Sequence, residues 1–97
     1  MGLNSVTLSV ELHLPVAQSL KAKRSVVQSI VRTLDGWNGV AAAEVDHQDL
    51  WQRTTIGVSV IGSDPANVEE RANAVERHIW SRPDVEVLGI AWHWVET

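Results

Sequence analysis

An α+β fold with two helices laid on one face of a four-stranded sheet is what this chain of 97 residues predicts. Three observations predict it. The chain opens with strict two-residue alternation, it carries two separate stripes of helical period, and turn residues fall between the runs. Together they order the elements β-α-β-β-α-β.

The first strand is read from Val6, Leu8, Val10, Leu12 and Leu14, which alternate with Thr7, Ser9, Glu11 and His13. That period of two gives one apolar face, and Pro15 ends it. Val27, Ile30, Val31 and Leu34 then stand at i, i+3, i+4 and i+7, the stripe of a helix expected from about Leu20 to Asp35. Gly36 is expected to close it as a left-handed cap. Gly39 to Asp46 reads as a short second strand whose alanines, Ala41 to Ala43, suit close packing. Gln52 to Ile61, rich in β-branched residues, reads as a third. Ser63, Asp64 and Pro65 announce a second helix, with Ser63 or Asp64 as N-cap and Pro65 in the first turn. Val68, Ala72, Val75 and Ile79 line one side of it, and Pro83 marks the exit. The fourth strand runs from Val85 to Val95, with Leu88, Ile90, Trp92 and Trp94 on one side and Val87, Ala91 and His93 on the other.

This order is the split βαβ, or ferredoxin-like, plan. Right-handed crossovers place both helices on the same side of a sheet ordered 4-1-3-2 and leave the other side uncovered. The whole chain, 1–97, is expected to form one domain. On the uncovered side, alternation places Glu44 and Asp46 together, with Arg53 and His93 gathered near one end and Glu11 and His13 at the other.

Composition narrows the function classes. Hydrophobic residues at 44% and charged residues at 21% describe an ordinary globular protein rather than a disordered one. The absence of cysteine removes disulfides, thiolate metal sites and Cys nucleophiles, and it suits a reducing cytoplasm. The opening residues lack the basic region of a signal peptide, and no apolar run approaches a membrane span, so no membrane partner is expected. A net charge of −4 argues against a surface coated in phosphate-binding charge, but not against one local basic patch. Five tryptophans, with no Phe or Tyr, supply all the aromatic anchors.

Two stretches carry a family resemblance. Ser19-Leu20-Lys21-Ala22-Lys23-Arg24 follows the first strand, and Ala43-Glu44-Val45-Asp46-His47-Gln48-Asp49-Leu50-Trp51-Gln52 joins the second to the third. Together they closely resemble the YlxP-like family, the domain of unknown function 503, and the likeness extends over nearly the whole chain. It implies a small bacterial ferredoxin-like domain whose members are often encoded beside translation-initiation and ribosome-maturation genes. It supplies no catalytic residues. Ala22 and the Trp-rich end, Ala91 to Trp94, depart from the family pattern.

The first helix breaks the charge rule for helix ends. Lys21, Lys23 and Arg24 crowd its start, where cations are unfavourable, while Lys21, Arg24, Gln28 and Arg32 run along one stripe. Cations beside free backbone N–H groups make an anion site. Lys21, Lys23, Arg24 and Arg32 are therefore candidate contacts for RNA phosphates. The same stripe also reads as a solvated face whose cations pair with acids such as Glu11.

The acidic loop offers Glu44, Asp46, His47, Gln48, Asp49, Trp51 and Arg53 as a candidate partner or ligand surface. Four of these can ligate a metal, but their spacing matches neither an EF-hand nor HExxH, and turn capping plus an Arg53 ion pair accounts for them. No metal is assigned. No nucleophile motif or cofactor fingerprint accompanies them, so no cofactor is assigned and an enzyme is the least favoured reading. Strand positions that would carry base-stacking aromatics in an RNA-recognition motif hold Thr, Ser, Glu, Arg and Gly instead. Trp37, Trp80, Trp92 and Trp94 read as core or rim residues. The favoured function is a cytoplasmic, non-enzymatic binding module acting with RNA or a ribosomal particle. The alternative is a self-associating domain, by default a homodimer, using the uncovered sheet face.

Overall fold

The computed structural model describes residues 2–96. Its elements are β1 (Asn4–His13), α1 (Leu20–Asp35), β2 (Val40–Asp46), β3 (Arg53–Gly62), α2 (Pro65–Trp80) and β4 (Glu86–Glu96). The strands pair antiparallel in the order β2-β3-β1-β4, the expected ferredoxin-like arrangement. β1 lies at the centre because its alternation is the cleanest: Val6, Leu8, Val10 and Leu12 are all fully buried. They meet Ile56, Val58 and Val60 of β3, and both helical stripes, Val27, Ile30 and Leu34 from α1 and Val68, Ala72, Val75 and Ile79 from α2, close the core above them.

Local chemistry sets the helix starts. Ser19 Oγ accepts from the Ala22 N–H at 3.0 Å and begins α1. Asp64 Oδ1 accepts from the Ala66 N–H at 2.9 Å and begins α2, with Pro65 at its first position. The expected left-handed cap at Gly36 is not formed. Gly36 stays right-handed (φ −79°) and its N–H continues to bond Arg32 O, so the chain reverses three residues later. Gly39 makes that reversal with φ 76°, a conformation glycine adopts without penalty.

Two bulges overturn the simple alternation. In β2, Glu44 pairs with Ile56 but Asp46 pairs with Thr55, so Val45 is an extra residue. Val40, Ala42 and Glu44 alternate regularly onto the helix side opposite Val60, Val58 and Ile56, so Glu44 lies there and not on the open side expected for it, while the bulge carries Asp46 to the open side. In β4 the same thing happens at Leu88: Glu11 pairs with Gly89 and Leu12 with Val87. Val87 consequently packs against the core and Leu88 is exposed, the reverse of the expectation.

Candidate functional site

One end of the sheet collects most of the polar chemistry. Because β1 runs antiparallel to both β3 and β4, His13 pairs with both Arg53 and Glu86, and Glu11 pairs with Thr55. Glu11 and His13 therefore share an end with Arg53 and Asp46. His93, opposite Thr7, lies away from them. The expected grouping of His93 with the acidic loop is thus corrected by strand direction.

On the helix side of this end, Lys23 is the central residue. It lies in the first turns of α1, yet it is only 1% exposed. Its Nζ pairs with Glu44 Oε2 at 2.9 Å and donates to the backbone oxygen of His47. Thr54 Oγ1 donates to the same Glu44 oxygen at 2.6 Å. An ammonium tolerates such burial only when a carboxylate and further acceptors replace its water. Glu44 faces inward to meet it because it continues the helix-side alternation of Val40 and Ala42, opposite the buried Ile56. Lys23 is thereby removed from the phosphate-contacting set: it is an internal tie between α1 and the loop after β2.

That loop holds its shape by local means. Asp46 Oδ1 accepts from the His47 N–H at 2.7 Å, and His47 adopts a left-handed backbone, φ 61°. Gln52 Nε2 reaches Ala17 O at 3.3 Å, and Leu14 N–H bonds Gln52 O at 2.9 Å, fastening the loop's far end. On the open side, Glu11 accepts from Thr55 Oγ1 at 2.7 Å and lies 3.5 Å from Arg53 Nη2 and 3.9 Å from His47 Nε2. Glu11 is thus committed within the sheet face and does not reach the α1 cations. Pairs this exposed contribute little stability. Glu44 faces the other side of the sheet from Asp46, His47 and Arg53, so the four do not converge as one constellation. Gln48, Asp49 and Trp51 are exposed, and a shallow hollow of about 400 Å³ runs from Asp49 to Arg53.

The outer side of α1 has a different character. Lys21, Arg24, Gln28 and Arg32 are all exposed along one stripe. Among the described residues, no carboxylate lies within ion-pair distance of Lys21, Arg24 or Arg32. The only acid on α1 is Asp35, whose Oδ1 accepts from the Ala42 N–H at 3.2 Å. Arg82, which reaches Ser29 Oγ on α1 at 3.1 Å, is already held by both oxygens of Asp84. Three unpaired cations among Ser25, Gln28, Ser29 and Thr33 make a surface of donors facing solvent. It spans about 16 Å of helix from Lys21 to Arg32.

The sequence named Glu11 only as a partner for the α1 cations and did not mark Thr54 and Thr55 as partners at all, and no local motif indicates their roles.

Comparison with known proteins gives two findings. Residues 6–92 match the model of a family described as "Protein of unknown function (DUF503)". The chain is also 34% identical over 70 residues to the "Uncharacterized protein YlxP" of Bacillus subtilis (strain 168), an alignment covering 72% of this chain and 76% of that protein.

Proposed function

The chain belongs to the DUF503 family of proteins of unknown function, and we propose that it is a small non-enzymatic binding protein whose first helix grips RNA phosphates, on a ribosomal particle in the cytoplasm. The observation that carries this reading is the run of unpaired Lys21, Arg24 and Arg32 on an otherwise acidic protein. Lys21 and Arg24, left without carboxylates near the helix start, keep their attraction for anions, and the helix N–H groups there add to it, while Arg32 extends the same stripe into the last turn. Lys23 takes no part in contact, and the reading rests on the other three.

The test is co-sedimentation with ribosomal particles at low salt, comparing the native protein with a Lys21→Glu, Arg24→Glu, Arg32→Glu variant. The native protein pellets with the particles and the variant stays in the supernatant. A native protein that stays in the supernatant at low salt, or a variant that pellets equally, defeats the proposal.

A second reading is favoured by one observation on the open face. Ala41, Ala43, Val45, Gly57 and Ser59 line a shallow, largely apolar hollow of about 300 Å³ that no described segment covers. Exposed apolar sheet surface invites a second copy. Light scattering across a concentration series, with Val45→Glu as the disrupting variant, tests it. A strict monomer at the highest concentration removes it.

A further inference from the structure

The opposite end of the sheet, away from the acidic loop, carries a separate groove. It lies between the start of α2 and β4, has a volume of about 600 Å³, and is lined by Asn4, Pro65, Ala66, Glu69, Trp92 and Trp94. The two indoles stand two residues apart on β4 with ring centres 6.3 Å apart and planes inclined at 54°. Trp92 is fixed, because its Nε1–H donates to Glu76 on α2. Trp94 projects past the helix start and is 42% exposed. Glu69 is exposed, and among the described residues no cation pairs with it.

We propose that this groove binds a guanidinium group, carried by an arginine of an extended segment of a partner protein. Three features select that occupant. Indole faces attract cations, and a planar guanidinium both stacks on them and meets the ring quadrupole. The Glu69 carboxylate and the Asn4 amide offer hydrogen-bond acceptors, which a guanidinium satisfies and a quaternary ammonium does not. β4 is an edge strand, so its outer main-chain groups beside Trp92 and Trp94 are free to pair with an added peptide strand. The start of α2 bears partial positive charge that opposes a cation, and the Asp64 cap and Glu69 offset it.

The experiment follows the five indole N–H signals by NMR during titration with a blocked alanine peptide carrying one central arginine. A twin peptide with citrulline and a tetramethylammonium salt are titrated in parallel. The arginine peptide shifts the Trp92 and Trp94 signals saturably and leaves those of Trp37, Trp51 and Trp80 in place. Trp94→Ala and Glu69→Gln each weaken binding by roughly 2- to 5-fold. Both positions are exposed, so the variants fold. No shift, an equal response to the citrulline twin, tighter binding of tetramethylammonium, or unchanged affinity in both variants overturns the proposal.

Discussion

Replacing Lys23 by methionine keeps the buried stem and deletes the charge. Glu44, whose side chain is 19% exposed, then loses its 2.9 Å ion pair and retains only the Thr54 hydroxyl, while the His47 carbonyl loses its donor. Removing one member of a buried pair costs about 3–5 kcal/mol. The residual exposure of Glu44 and its bond to Thr54 place this case at the lower end, about 3 kcal/mol. For a domain of this size, that is a fall in Tm of roughly 12–24 °C. Urea unfolding followed by tryptophan fluorescence and far-UV circular dichroism measures it. Adding Glu44→Leu removes the stranded carboxylate, and the double variant recovers to within about 1 kcal/mol of the native protein. A single-variant loss under about 1 kcal/mol, or a double variant no more stable than the single, refutes the reasoning that the pair is buried and mutually dependent.

Other consequences follow from backbone and titration. A Cβ on Gly39 meets Arg71 Nη1 at 2.7 Å and Ile61 O at 2.8 Å with φ at 76°, so Gly39→Ala costs about 2–3 kcal/mol in a thermal melt. His47 is left-handed, so His47→Val costs about 1–2 kcal/mol whereas His47→Asn, at home in that conformation, stays nearly neutral in the same assay. Burial, reinforced by Arg82, holds His78 below its ordinary 6.5. The unfolded chain therefore takes up that proton first, and stability is full above pH 6.5 and falls as pH drops below it. His78→Phe keeps the edge contact with Trp37 and flattens that part of the pH–stability curve.

The fold was legible because each element declares its own period. β1 and β3 alternate or run β-branched, α1 and α2 carry complete stripes, and Pro15, Ser63-Asp64-Pro65 and Pro83 separate them. α1 begins and ends where its stripe predicts. The site was legible only in part. A bulge inserts one residue and reverses the parity of everything beyond it, and neither Val45 nor Leu88 differs in kind from its neighbours. Asp46 reaches the open face only through its bulge, whereas Glu44 shares the helix-side parity of Val40, which the run of small alanines between them obscures. Lys21 and Lys23 lie two residues apart on a helix and so point in different directions, which separates the solvated cation from the buried one. The gathering of Glu11 and His13 with Arg53 follows from antiparallel pairing, in which the end of β1 meets the beginning of β3.

The central claim is that Lys21, Arg24 and Arg32 meet phosphates as a set. Its most direct measurement is the salt dependence of RNA binding, by fluorescence anisotropy on a labelled ribosomal RNA fragment. Three phosphate contacts predict a log–log slope of about −2.1 to −2.7, so affinity falls roughly 20- to 40-fold between about 50 and 200 mM salt. Reversing the three charges removes both the binding and the slope. A slope near zero, or a charge-reversed protein that binds as the native one does, contradicts the account.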